Sequence, residues 1–139
     1  MERTLVLIKP DGIAQNIIGE IIDRFEKANL VVKHLKMFQG DKELFKAFYS
    51  VHNNKPFFDE LVSWMSSSRI VAMILEGENA IHAVRKIIGA TDPAEAEPGT
   101  IRATFGTDKG QNVVHASDSS ESYINEARLI FGESAFAQD

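Results

Sequence analysis

His115 is followed at once by Ala116-Ser117-Asp118-Ser119, so an imidazole sits where a Val-rich segment gives way to a polar helix start. A histidine in that position can act as acid, base, nucleophile or metal ligand, because its neutral nitrogen is available near pH 7. Metal binding is the weakest of these chemistries, since His34, His52, His82 and His115 show no paired ligand spacing. Three cations can serve an anionic substrate: Lys9 after an apolar run, Arg85 in an amphipathic stretch, and Arg102 in an irregular one. Neither a glycine-rich loop ending in Gly-Lys-Ser/Thr nor a Gly-x-Gly-x-x-Gly after a strand is present. A phosphate site must therefore be built from side chains. Taken singly, each cation reads as a surface charge, and His115 reads as a satisfied structural histidine.

The elements that position these residues follow from hydrophobic periodicity. Residues 4–8 form a β-rich run closed by Pro10-Asp11-Gly12, a buried strand that ends at Lys9. Ile17, Ile18, Ile21, Ile22 and Phe25 recur at helical spacing. A second strand is expected over residues 30–38, and Gly40-Asp41 opens a helix through Leu44, Phe45, Phe48 and Tyr49. Pro56 suits the first turn of the next helix, carrying Phe57, Phe58, Leu61, Val62 and Met65, so these two helices form a hairpin. Residues 69–76 read as a strand with no polar face, which requires cover on both sides. Ala80, Ile81, Val84, Ile87 and Ile88 make a helix that Gly89 ends. Residues 90–112 are irregular, residues 113–115 form a last strand, and Asp118-Ser119-Ser120-Glu121 has capping-box character before a final helix with Ile124, Ala127, Leu129 and Ile130. Without the inserted helix pair the order is βαββαβ. That is the ferredoxin-like α+β order, with a four-stranded antiparallel sheet and helices on one face.

At 139 residues the chain fits one domain, 1–139, which must bind and react without a separate cofactor domain. A net charge of -5 argues against a protein built to hold a nucleic-acid backbone, yet a few local cations can still hold a small polyanion. The lack of cysteine excludes disulfides, thiolate metal sites and cysteine nucleophiles. The first apolar run is cut off by Lys9-Pro10-Asp11-Gly12 too early for a signal sequence, and no stretch approaches the roughly 20 apolar residues of a membrane span. A cytoplasmic location is expected.

The segment Asn112-Val113-Val114-His115-Ala116-Ser117-Asp118 closely resembles the active-site signature Asn-x-x-His-x-Ser-Asp of nucleoside diphosphate kinases. Glu2-Arg3-Thr4 leading into Ile8-Lys9-Pro10-Asp11-Gly12 is similar to that family's first strand, and Phe48-Tyr49 with Lys55-Pro56-Phe57-Phe58 to its helix hairpin. Leu75-Glu76-Gly77, Gly89-Ala90-Thr91-Asp92-Pro93-Ala94 and Pro98-Gly99-Thr100-Ile101-Arg102 resemble its third strand and long loop, in order and in register. The resemblance spans nearly the whole chain and displaces the plain readings of His115 and of the single cations.

What the resemblance implies is a ping-pong transfer of the γ-phosphoryl group from a nucleoside triphosphate, typically ATP, to a nucleoside diphosphate. His115 would be phosphorylated on Nδ1, with Glu126 orienting the imidazole and Ser117 assisting. Arg85, Thr91 and Arg102 match phosphate contacts, His52 a residue near the α-phosphate, and Asn112 a ribose contact. Lys9 matches a lysine that reaches both the ribose hydroxyls and the moving phosphate, with Tyr49 beside it. The base would stack on Phe57, near Leu61, which accepts purines and pyrimidines alike. Mg2+ would bridge phosphate oxygens through substrate and water, with Asp118 an outer-shell partner. The chain departs from the pattern at Lys109, where many relatives place an apolar wall against the base, and at Ala116, where glycine is more usual. The resemblance also implies a homo-oligomer, for which a tetramer or dimer is favoured over a hexamer. Two rivals stand beside this reading: a ferredoxin-like module that holds a small anion without chemistry, and a single-stranded nucleic-acid binder using Phe57, Phe58 and Trp64.

Overall fold

The computed structural model describes residues 1–137. The N-terminal apolar run forms β1 (Glu2–Ile8), whose alternating residues divide the interior: Val6 and Ile8 enter one buried cluster, Leu5 and Leu7 another. β3 (Ile70–Gly77) repeats the pattern, with Val71, Met73 and Leu75 on one side and Ile70, Ala72 and Ile74 on the other. Together with β2 (Val31–Phe38) and β4 (Val114–Ala116) they form an antiparallel sheet in the order β2-β3-β1-β4. This is the ferredoxin-like arrangement expected from the order of elements.

Strands that are apolar on both faces need cover on both. After the short α1 (Pro10–Ala14), α2 (Ile18–Lys27) lays Ile21 and Phe25 on the first face. The second face receives Phe45 and Phe48 of α3 (Lys42–Phe48), then Val62 and Met65 of α4 (Phe58–Ser66). Ala80, Val84 and Ile88 of α5 (Ala80–Ile88) return to the first face beside α2. Beyond α6 (Ile101–Phe105), α7 (Ser120–Phe131) brings Tyr123, Ala127 and Ile130 to the second face. Helices therefore cover both faces rather than one: the inserted pair α3 and α4, with α7, closes the side that a bare ferredoxin-like unit leaves open.

Several boundaries differ from the periodicity reading, and β2, β3 and β4 each begin one residue later than expected. Lys9 stands just beyond β1 and caps α1, because Pro10 at the first helical position starts a turn of helix where an open turn was expected. Pro56 precedes α4, which begins at Phe58. Residues 90–112 hold a 3-10 turn at Pro93–Glu95 and α6, which starts where the Thr100 hydroxyl accepts a hydrogen bond from Ala103 N. Ser119, not Asp118, caps α7: its Oγ accepts from Ser122 N at 3.1 Å, while Asp118 Oδ1 accepts from Ser122 Oγ at 2.6 Å. Among the described residues no helix is long and apolar enough to cross a membrane.

Candidate active site

His115 lies at the middle of β4, opposite Leu7 of β1, and so faces the second cluster. Its ring meets the edge of Phe48 at 5.0 Å between centroids and that of Tyr49 at 6.2 Å, both delivered by the end of α3. These walls fix the plane of the imidazole while leaving its side chain 21% exposed, enough for a reactant to reach it. Glu126, one turn before Ile130 on α7, brings Oε1 to 2.9 Å from His115 Nε2. Ser117 Oγ donates to the same Oε1 at 2.7 Å. An ionised carboxylate can only accept, so Nε2 is the donor in this contact and Nδ1 is the ring nitrogen left open to a reactant.

The backbone on either side of His115 is gripped by the two arginines. Arg85 of α5 donates from Nη1 to the Ala116 carbonyl at 3.2 Å, and Arg102 of α6 donates from Nη2 to the Val114 carbonyl at 2.8 Å. Arg102 also donates from Nη1 to the Gly89 carbonyl at 3.0 Å, and its buried Nε has no hydrogen-bond partner. Burial, and then the positive charge of Arg85, pull its pKa down to about 10. Lys9, 8% exposed, donates from Nζ to Asn112 Oδ1 at 2.8 Å. Burial and the repulsion of Arg102 lower its pKa to about 8, against an upward pull from Asp11. Three cations thus converge, and burial and mutual repulsion pull the pKa of two of them, Lys9 and Arg102, down. Such a cluster is costly to assemble unless an anion binds there.

Asn112 is held by its own amide, which donates to the Thr91 carbonyl at 2.9 Å and the Lys109 carbonyl at 3.0 Å. The segment from Thr91 to Lys109 is thereby tied to the base of β4. Tyr49 has its hydroxyl buried without a hydrogen-bond partner, and burial together with the Glu126 charge pushes its pKa up. His52, in the 3-10 turn Ser50–His52, has its pKa lowered by burial, Lys55 and His115, and its buried Nδ1 is also unpartnered. Its ring lies 5.5 Å from Phe57, which caps α4 and is 47% exposed. Leu61 follows one turn later, half-buried against the second cluster. Lys109 is exposed, and its carbonyl accepts from the Asn112 amide. Asp118 is exposed, and its hydrogen bond from Ser122 and then the nearby Arg85 hold its carboxyl below the usual range.

Of the residues named from sequence, direct contacts link His115 to Glu126 and Tyr49, Ser117 to Glu126, the two arginines to the backbone beside His115, and Lys9 to Asn112, while Phe57 meets only His52 and Leu61 packs on the second cluster. Two residues of this arrangement escaped notice. The sequence places Asp11 in a turn, yet its Oδ2 accepts a hydrogen bond from Val113 N at 3.0 Å. It places Phe48 on the helix hairpin with no role at the site, yet Phe48 walls the imidazole. Among the described residues there is no group of three or more His, Cys, Asp or Glu able to cage a metal ion. One ionised carboxylate beside converging cations fits Mg2+ that arrives on a polyphosphate, since that ion keeps several waters and few protein ligands.

The family model for nucleoside diphosphate kinase matches residues 2–136. A nucleoside diphosphate kinase of Staphylothermus marinus is 58% identical over 130 residues, covering 94% of this chain and 92% of that protein. The solved nucleoside diphosphate kinase of Aquifex aeolicus superposes with a TM-score of 0.91 at 52% identity, covering 94% of each chain. A halophilic relative from Halobacterium salinarum, solved in complex with CDP, gives a TM-score of 0.92 at 41% identity, over 96% of this chain and 90% of that one.

Proposed function

Since this chain belongs to the nucleoside diphosphate kinase family, which moves phosphoryl groups between nucleoside triphosphates and diphosphates, we propose that His115 is the residue that carries the group. The observation that carries this reading is the pair of hydrogen bonds on Glu126 Oε1, from His115 Nε2 and Ser117 Oγ, which leaves Nδ1 as the nucleophilic nitrogen. In the first displacement the Nδ1 lone pair attacks the γ-phosphorus, the bond to the β,γ-bridging oxygen breaks, and the diphosphate leaves with that electron pair. In the second, a terminal oxygen of the acceptor diphosphate attacks the same phosphorus and the nitrogen recovers its pair. A phosphoramidate suits this relay because it stays reactive enough to pass the group onward.

Phosphoryl transfer depends on position and on charge placed around the moving group. Arg85 and Arg102 serve as the phosphate clamp, with Thr91 beside them on the loop that Asn112 ties down. Lys9 and Asn112, already paired, face ribose hydroxyls and the moving phosphate, with Tyr49 next to them and His52 near the α-phosphate. The exposed ring of Phe57, with Leu61, offers the base an aromatic face, which gives broad base specificity. Asp118 would hold Mg2+ through water, and the ion would supply neutralising charge to the phosphates. The assembly is a homo-oligomer, a tetramer or dimer, supported by the outer strand β2 with Val31, Leu35 and Met37 exposed. A cytoplasmic setting completes the proposal, and cell fractionation tests it.

Incubation with γ-labelled ATP decides the central point. Acid-labile label should appear on the protein and vanish in His115→Ala. An unlabelled wild-type protein, or label that survives His115→Ala, overturns the assignment.

A further inference from the structure

Val113 has φ +77°, a left-handed conformation that is an outlier for a β-branched residue. The turn it makes is tight, since Val114 N donates back to the Asn112 carbonyl at 2.9 Å, closing a three-residue loop around Val113. Such a conformation persists only where its surroundings hold it. Here both peptide groups of Val113 are held by one segment. Lys9 N donates to the Val113 carbonyl at 2.8 Å, and the Asp11 carboxylate accepts from Val113 N at 3.0 Å. Gly12 completes the clamp: a Cβ there would stand 2.7 Å from Ile8 Cγ2, 3.1 Å from Val113 Cγ1 and 3.2 Å from the Val113 carbonyl oxygen.

The turn sits between the groups that matter. On one side is Asn112, whose side chain holds Lys9 Nζ. On the other is Val114, whose carbonyl holds Arg102 and whose chain leads directly to His115. If Val113 relaxed to an extended conformation, the Asn112 amide would swing away from Lys9, and the Val114 carbonyl would turn away from the guanidinium. Asp11 touches none of the reacting groups. Its second oxygen, Oδ1, is buried without a hydrogen-bond partner, and burial raises its pKa. A half-buried carboxylate that accepts its hydrogen bond from a strained backbone N–H is poorly explained by stability alone, since an apolar residue would avoid the desolvation.

We propose that Asp11 is a positioning residue that enforces the left-handed turn at Val113 and thereby sets the Lys9–Asn112 pair and the Val114 anchor of Arg102. The inference rests on the assignment of that pair to nucleotide binding, and the experiment separates the two.

Steady-state kinetics with nucleoside triphosphate and diphosphate, together with thermal unfolding, are measured for Asp11→Asn, Asp11→Ala, Val113→Gly and Asp11→Ala/Val113→Gly. Asp11→Ala is expected to lower kcat/KM by about tenfold or more, chiefly by raising KM, because substrate binding loses its preformed pair. Asp11→Asn, whose amide oxygen can still accept from Val113 N, should recover most of that loss. Glycine adopts positive φ without a steric penalty, so Val113→Gly should restore kcat/KM in the Asp11→Ala background even though it lowers the melting temperature of the protein. An Asp11→Ala enzyme with unchanged kinetics overturns the proposal. So does a loss that Val113→Gly leaves in place, or an Asp11→Asn enzyme as impaired as Asp11→Ala. His115→Ala serves as the control for the site itself: if it is inactive while Asp11→Ala is normal, only the role of Asp11 falls, and if it stays active the site assignment falls instead.

Discussion

Lys9 carries two opposed consequences of one environment. Its ammonium is buried beside Arg102, and the Asn112 oxygen it bonds is neutral, so folding disfavours the protonated form and brings the pKa down to about 8 from 10.5. Between those values the unfolded chain binds more protons than the folded one, so this group makes stability rise with pH across roughly pH 8 to 10.5. At pH 7 the charge is present and costs stability. Lys9→Met is therefore expected to raise the urea midpoint at pH 7, with a gain of about 1–3 kcal/mol that shrinks toward pH 10. Unfolding titrations at the two pH values check this, and a variant no more stable than wild type at pH 7 sinks it. Function moves the other way: if Lys9 meets the phosphates as proposed, kcat/KM of the wild-type enzyme should fall as pH rises through about 8, when Lys9 loses its charge. A second test at this scale concerns Glu126, which fixes the tautomer of His115. Glu126→Ala should lower kcat by about 10–100-fold, the range for loss of such an orienting partner, with a smaller change in KM. An equal loss in binding and turnover would show instead that Glu126 acts on substrate affinity.

At the scale of elements, the strands and the longer helices were legible because their apolar residues repeat at two or at three and four, and the signature around His115 pointed to the family that the chain belongs to. Periodicity failed where local polar geometry decides. Nothing in the spacing of Asp118-Ser119-Ser120-Glu121 distinguishes Ser119 as the cap of α7, because that choice depends on which oxygen meets Ser122 N. The segment 90–112 looked structureless because α6 has only five residues, too few for a hydrophobic repeat. Its order comes from anchors distant in sequence, such as Asn112 to Thr91, Arg102 to Gly89, and Arg24 of α2 to the Gly99 carbonyl. Gly89 shows how narrow the fit is. Its φ is +89°, and a Cβ there would stand 2.5 Å from Thr100 Oγ1, the oxygen that caps α6. Gly89→Ala should therefore destabilise the protein by about 2 kcal/mol or more and raise KM for nucleotide by displacing Arg102. Gly99 is the control, since its φ is also +89° but a Cβ there meets nothing within 4 Å. Gly99→Ala should cost only the conformational part, about 1 kcal/mol, with kinetics unchanged. Equal effects at the two positions, by urea unfolding and nucleotide KM, would contradict the packing argument.

For the molecule as a whole, the sheet closes one edge less completely than its faces. The short β4 ends in the active site, whereas the longer β2 forms the other edge of the order β2-β3-β1-β4. Leu35 and Met37 pair with Met73 and Val71, residues of the first buried cluster, so they lie on that same face, yet they are 53% and 44% exposed. Charged residues usually blunt such an edge, but Lys36 is turned onto the second face, where its Nζ donates to the Ile130 carbonyl at 2.6 Å. The alternation of the sequence marked this strand but not its place in the sheet, because an edge is defined only once the other strands have paired. In the proposed homo-oligomer a second copy related by a two-fold axis would satisfy the edge and cover Leu35 and Met37 at once, since antiparallel strands are self-complementary under that symmetry. The wild-type protein should therefore scatter light as a multiple of 15.5 kDa, with a melting temperature that rises with protein concentration. Leu35→Lys places a like charge against its own symmetry mate and should shift the mass toward the monomer and remove the concentration dependence. The active site lies on the far strand, so the isolated monomer should still accept acid-labile phosphate on His115. A Leu35→Lys protein that keeps the wild-type mass would move the subunit contact away from β2.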